Sequence, residues 1–516
     1  MMYRKKLTVT LLLLLMTCAG IAQENLQGKQ KLKKYVGYFN SIDTEAVKNY
    51  IPNANAYEWL SENIPLLECP DEVIEQNYYY RWWSFRKHLK KTPDGFIFTE
   101  FIEPVKHDGK HNAISCALGH HIYEGRWLRN TAYLQDYIKF WLYHSDVGQS
   151  KPRFHQFSSW IDDAVYQNYL VKPDLAFLNG IMPALDLDYQ KWEEQRQLSS
   201  GLFWQFDVQD GMEESVSGSR KEHNMRPTIN SYMYGNAKAL VQLAGITKND
   251  ILAQKYTQKE ATLKKLVLDS LWDHTAGFFK TRMSKGGLAE AREAIGFIPW
   301  NFNLPADDKM YARAWDQLLD TAGFNAPWGL TTAERRTPTF RTRGSGHGCE
   351  WDGALWPFAS TQTLKGLSNL LVHYKNHGKM DAGVFYKEMH KYALSHQKNG
   401  KPYLGEYQDE KTGEWLKGDH PRSSFYNHST FGDLVINDLI GVKPRLDQIF
   451  ELYPLIPNGK WDWFLLDQLS YQGKMMTIRW DKTGKKYNKG KGLRIYADGK
   501  EIYHGKKLKH VKVPFN

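Results

Sequence analysis

Gly344-Ser-Gly-His-Gly-Cys-Glu-Trp-Asp-Gly-Ala-Leu-Trp-Pro-Phe-Ala-Ser-Thr-Gln-Thr-Leu-Lys-Gly-Leu-Ser-Asn-Leu-Leu-Val-His-Tyr374 joins the two textures from which most of the chain is built. The first half is loop. Four glycines free a backbone that carries His347, Cys349, Glu350, Trp351, Asp352 and Trp356. The second half is helix, because Leu364, Leu367, Leu370, Leu371 and Tyr374 recur at helical spacing. The same helical spacing returns at Leu134, Ile138, Trp141 and Leu142, at Ala237, Leu240, Val241 and Ala244, and at Phe385, Met389 and Tyr392. Loops with Gly and Pro, such as Thr92 to Gly95 and Asn301 to Pro305, separate these segments. They are rich in Trp, His, Arg and Asp. Many helices joined by such loops predict a mainly α fold of paired helices in a toroid, with the loops of one face forming a cleft.

Near residue 451 the texture changes. Trp461 to Leu466, Met475 to Trp480 and Leu493 to Tyr496 read as short strands. Asp481 to Gly484 and Asp498-Gly499 read as hairpin turns between them. A small C-terminal antiparallel β-domain is expected over 451–516, after a helical domain over 23–450. Residues 1–22 read as a signal peptide. Arg4, Lys5 and Lys6 precede the apolar run Leu11 to Met16, and Gly20-Ile21-Ala22 fits a small-residue cleavage site. Secretion or a periplasmic location is expected, with lipidation at Cys18 ranked second.

Hydrophobic residues at 42% and charged residues at 24% make the chain globular. Aromatics at 14% suit the stacking of sugar rings, although large helical cores use them too. The net charge of +11 is uneven. Residues 471–516 hold 13 Lys and Arg against three acids, and the signal holds three positives. The body is therefore close to neutral. A lysine-protected strand edge accounts for the basic tail. No nucleic-acid partner and no membrane span are expected. Cys69, Cys116 and Cys349 are too few and too far apart for a disulfide framework and read as small buried hydrophobes.

The loop before the third quoted helix carries the chemistry. Asp207, Asp210, Glu213 and Glu214 fall within eight residues, just after Trp204 and Phe206. Glycosidic cleavage needs a carboxyl group kept protonated to serve the leaving oxygen, and apolar neighbours raise its pKa. A solvated acidic loop is the competing reading. Further candidates for sugar contact are Arg81, Trp82 and Glu100 near the start, Trp160 and Asp163, then Trp204, Arg226, Asn230 and Tyr232. His347, Trp351, Trp356 and His428 complete them. Glu406 stands between Tyr403 and Tyr407 in a turn. His120 and Glu124 share a helical spacing, but no matching ligand pair accompanies them, so hydrogen-bonded histidines are expected rather than a metal site. His347 and Cys349 lack a visible third partner for a thiol nucleophile.

Three runs resemble the six-hairpin glycosidases, in particular the mannosylglycerate hydrolase-like and glucosidase I-like enzymes of glycoside hydrolase family 63. They are Asp210-Gly-Met-Glu-Glu-Ser215, Glu350-Trp-Asp-Gly-Ala-Leu-Trp-Pro-Phe-Ala-Ser-Thr-Gln-Thr-Leu364 and Tyr426-Asn-His-Ser-Thr-Phe431. The resemblance implies an (α/α)6 toroid followed by a C-terminal β-module, an inverting hydrolase, an oligo- or polysaccharide substrate and no cofactor. It puts the general acid on Asp210, with Asp207 and Glu213 as alternatives in the same loop, and the general base on Glu406. Two readings compete. A polysaccharide lyase on a similar toroid would use His347, Tyr232, Arg226 and Asn230, and a non-catalytic glycan-binding protein would hold sugar without cleaving it.

Overall fold

The computed structural model describes residues 28–151, 153–342, 349–418 and 420–515. The signal peptide expected at 1–22, Cys18 and His347 lie outside the described residues.

Six helical segments form a closed inner ring. They are Leu118–Gly125, Ile161–Val171, Pro227–Ile246, the 3-10 segment Ala294–Phe302, Pro357–His373 and the π-helical segment Leu434–Ile440. Each packs on the next in chain order. The ring closes where the Glu124 carboxylate accepts the N–H groups of Gly432 and Asp433, both at 2.8 Å, and Arg126 pairs with Asp433 at 2.7 Å. These helices have little solvent face, and polar residues such as His120, Glu124 and Asp438 are buried in them beside the apolar ones. All eight residues of Leu118–Gly125 and all seven of Leu434–Ile440 are buried.

An outer layer backs the ring: Glu72–Lys87, Ala132–Lys139 with its π-helical extension Phe140–His144, Leu175–Arg196, Asp250–Leu271, Lys309–Ala312 running into Arg313–Leu318, and Ala382–Ser395. Outer helices carry one apolar stripe. Asp250–Leu271 buries Leu252, Tyr256, Leu263, Val267 and Leu271 and turns residues such as Gln254, Thr257 and Lys265 to solvent. The architecture is the (α/α)6 toroid expected from the sequence.

Glu72–Lys87 departs from its expected reading. A further helix over 28–42 covers its outer side, through Tyr35 on Tyr79 and Phe39 on Tyr80 and Trp83. Its arginines are buried as well as its aromatics. Arg81 donates to the Ser429 carbonyl at 2.6 Å and meets His396 at 3.0 Å. Trp82 packs between Tyr78 and Phe85. Neither faces a cleft, so their expected role in a sugar subsite is corrected to a structural one.

The C-terminal strands form a five-stranded antiparallel sheet in the order Leu66–Glu68, Trp463–Tyr471, Lys474–Asp481, Gly492–Ala497, Lys500–Gly505. Its edge strand comes from the N-terminal part of the chain, with Leu66 opposite Asp467. Val511–Pro514 pairs separately with Ile449–Leu452. The Asp498-Gly499 turn is present, with both residues at positive φ as a two-residue hairpin requires. The Asp481 to Gly484 turn is not a tight hairpin. The Asp481 carboxylate accepts the N–H groups of Gly484 at 2.7 Å and Tyr487 at 3.1 Å, which holds a longer loop running to Gly492.

Candidate active site

The inner helices enter from one face. Ser158 and Trp160 precede one, Arg226 another, Glu293 a third, Trp356 a fourth, and the 424–433 loop a fifth. Their N-termini point the positive ends of the helix dipoles at that face. The 203–219 loop crosses it and is tied to the first four, Arg226 through its ion pair with Asp210. Ser158 Oγ donates to Asp210 at 2.6 Å, Ser217 Oγ bonds Glu293, and Trp351 N–H donates to the Glu213 carbonyl at 3.4 Å. Gly211 adopts φ +68°, and a side chain there would strike Cys116 Sγ. This glycine lets the loop lie flat against the ring.

The four acids of the loop have different surroundings. Asp210 is enclosed. It receives Arg226 Nε at 2.6 Å and Ser158 Oγ, and neither Asp210 nor Arg226 shows side-chain exposure. Burial raises its pKa and the Arg226 charge opposes that rise. Asp207 accepts the N–H groups of Val208 at 2.7 Å and Glu214 at 3.2 Å and so shapes the turn. Glu214 pairs with Arg341. Glu213 differs from all three. It is partly exposed and has no ion-pair partner among the described residues. Burial, with the nearby charges of Glu406 and Asp207, pushes its carboxyl up to about 7.

Glu406 lies within electrostatic reach of Glu213. Its side chain is 1% exposed, with Arg422 at 3.4 Å, Lys417 at 3.9 Å and Cys349 Sγ at 3.6 Å. Burial raises its pKa, and the two cations work against that rise. Glu100 is a third carboxyl in the group. Burial pushes it up to about 8. Hydrogen bonding from Tyr426 opposes this, while the charges of Glu213 and Glu406 add to it. Its Oε2 has no hydrogen-bond partner among the described residues.

The structure thus brings together Glu100, Glu213, Glu406, Tyr426 and His428. His428 is a neutral imidazole, held down at about 3 by burial, next to Tyr426 and Trp356. Trp351 stacks on Trp356 at 4.5 Å and Trp356 on Tyr407 at 4.8 Å, a wall of three rings beside Glu406. Trp204 is half-exposed and stacks on His223 at 3.6 Å.

Other expected sugar contacts are spent on the scaffold. Arg226 serves Asp210. Asn230 clamps both the N–H and the carbonyl of Phe203, at 2.9 and 2.8 Å. Tyr232 accepts from Gln362 at 2.6 Å, and its ring lies on Trp160. Trp160 is packed among His120, Tyr232 and Phe358. Asp163 accepts the Tyr123 hydroxyl from within the same helix that begins at this face. All five are buried and engaged with the scaffold, so their expected sugar contacts are corrected to packing and positioning. Arg422 and Lys417 were not singled out in the sequence. The only signal was basic residues on both sides of an acidic turn, and that pattern is too common to decide anything.

The family model of the mannosylglycerate hydrolase MGH1-like glycoside hydrolase domain matches residues 110–429, and that of the glycosyl hydrolase family 65 C-terminal domain matches 445–504. A solved structure described as a sialidase superposes with a TM-score of 0.91 at 50% identity. The match covers 94% of this chain and 44% of that one, so this chain spans less than half of that relative's length. The family 63 mannosylglycerate hydrolase from Thermus thermophilus, solved with glucose, has a TM-score of 0.51 at 14% identity, covering 69% of this chain and 98% of that one. A family 78 rhamnosidase of Bacillus sp. GL1 has a TM-score of 0.56 at 13% identity, covering 84% of this chain and 41% of that one. At such identity the last two speak for the fold alone. With the family match spanning more than half of its length, the chain belongs to the MGH1-like glycoside hydrolases, a branch of the family 63-like six-hairpin glycosidases.

Proposed function

We propose that the protein is an exported glycosidase that cleaves its substrate with inversion, with Glu213 as general acid and Glu406 as general base. The observation that carries this reading is the contrast between Glu213 and Asp210. Glu213 is a partly exposed carboxyl with no ion-pair partner among the described residues, raised to about 7 by burial and by the charges of Glu406 and Asp207. An acid must be protonated at working pH and must reach the leaving oxygen. Asp210 is locked to Arg226 and fully covered, so its role is to brace the loop that presents Glu213. Glu406 has Arg422 and Lys417 beside it, which favour the ionised form that a base requires. Inversion needs a water between the two carboxyls, at a separation of roughly 6.5–9.5 Å.

Proton NMR of the first product, recorded before mutarotation, tests the stereochemistry. The anomeric configuration is expected to be reversed. Retention would overturn the base role of Glu406. Glu406→Gln should bind substrate and lose hydrolysis by a factor on the order of 10³. The substrate panel includes sialosides and mannosylglycerate, since relatives bear those names. The lyase reading lacks support, because Tyr232, Arg226 and Asn230 are all engaged within the wall. Export rests on the signal-like N-terminus, and N-terminal sequencing of the mature protein should begin at Gln23.

A further inference from the structure

A cavity of about 620 Å³ lies between the C-terminal ends of the inner helices and the β-sheet. Its lining includes Arg129, Asn168, Tyr169, Lys172, Asp174 and Gln472. It is far from the carboxyl cluster. Ser158, just before Ile161–Val171, touches Asp210, whereas Asn168 and Lys172 lie at the other end of that helix. At 1.5 Å per residue this separates the two regions by about 16 Å.

Two half-buried cations line this cavity, and neither makes an ion pair among the described residues, the Asp467 and Glu62 carboxylates reaching Arg129 only at longer range. Lys172 Nζ donates to the Ser470 carbonyl at 2.9 Å and makes no ion pair among the described residues. Arg129 donates to the Ile64 carbonyl at 3.2 Å and to the Gln468 amide, and its Nε is buried without a partner. Burial, then the Arg129 charge, pushes Lys172 down to about 7. Asp174 is the acid in the lining. It is occupied by the Phe177 N–H at 2.9 Å and by Gln135 Nε2 at 2.9 Å. Arg126, also in the lining, is already paired with Asp433. The Lys172 ammonium, partly desolvated and opposed by the Arg129 charge, is stabilised when an anion joins it.

We propose that this cavity is a second, non-catalytic saccharide site, which takes a carboxylate-bearing sugar such as a uronic acid unit of an acidic glycan. The carboxylate lies between Arg129 and Lys172, where charge-assisted hydrogen bonds supply Lys172 with a counter-charge. The volume is that of an organic-ligand site rather than a seat for a small ion. Asn168 offers an amide to sugar hydroxyls, and Tyr169, half-exposed, offers a ring face. The site is independent of the hydrolytic reading. It would serve equally to hold a polymer while the opposite face acts on it.

Titration calorimetry on the full chain tests this with three probes: trigalacturonate, maltotriose and sodium sulfate. Trigalacturonate is expected to bind. Lys172→Gln should weaken it about tenfold or more, and Lys172→Arg should retain it. Maltotriose binding and the hydrolysis of a small glycoside should be the same in Lys172→Gln as in the parent. Thermal melting of Lys172→Gln confirms that the variant is folded. If trigalacturonate does not bind, or binds Lys172→Gln as well as the parent, the proposal is overturned. Binding of sulfate without trigalacturonate overturns the saccharide assignment.

Discussion

Glu213 and Asp210 are three residues apart on one loop, and their surroundings separate their chemistry. Glu213→Gln should slow the cleavage of natural glycosides by about 10²–10⁴ and spare substrates with very acidic leaving groups, because those need no proton. Asp210→Asn should lower stability instead. It leaves Arg226 buried without its anion, a loss of about 3–5 kcal/mol. If Asp210→Asn keeps its melting temperature and shows the leaving-group dependence, the two roles are reversed. The alkaline limb of the pH–rate profile should fall near 7, as Glu213 loses its proton.

Glu100 allows a separate test. Its carboxyl is raised to about 8 by burial. The native state therefore keeps a proton that the unfolded chain releases near pH 4.3. Its contribution to stability is complete below that pH and declines as pH rises towards 8. Glu100→Gln cannot ionise. Its melting temperature should gain on the parent's as pH rises from 5 to 8, measured side by side in the same buffers. A difference that is flat with pH would show that Glu100 is charged in the folded protein.

At the scale of elements, the inner helices depend on how they start and stop. Leu434–Ile440 begins where Glu124 receives three successive N–H groups, from Phe431, Gly432 and Asp433. The pair His120 and Glu124, which shares one helical spacing in the sequence, is thus divided between packing and capping. The same helix ends at Gly441, at φ +89°, where a side chain would strike the Tyr453 carbonyl oxygen. Gly441→Ala should cost about 3 kcal/mol or more, read as a drop in melting temperature. An unchanged transition would mean that the chain can reroute at this point.

At the scale of the molecule, the toroid and the sheet share a strand. Leu66–Glu68 is the edge of the C-terminal sheet and leads directly into the outer helix Glu72–Lys87. Gln472 also donates to the Val171 and Leu170 carbonyls at the end of an inner helix. Calorimetry of the full chain should therefore give one thermal transition, and a chain cut at 444 should lose solubility as Leu66 and its neighbours become exposed. Two well-separated transitions would contradict this coupling.

The sequence by itself determined the helical periods, the loops between them, the change to strands near 451 and the acidic loop. All of these depend on neighbours within one or two turns of chain. The resemblance to the family put the expected acid on Asp210, with Asp207 and Glu213 as alternatives, and the expected base on Glu406. The choice within that loop was not legible, since a carboxyl's character depends on which distant groups surround it. Arg226 lies 16 residues from Asp210, and Glu406 lies 193 residues from Glu213. Only the closed ring sends one carboxyl to a cation and the other to a second carboxyl. The same holds for Arg81 and Trp82. Their spacing suits a cleft as well as a core, and only the assembled ring brings Ser429 and His396 to Arg81 and Gly432 against Trp82. Periodicity is local and is written in the chain, whereas desolvation and charge pairing belong to the assembled fold.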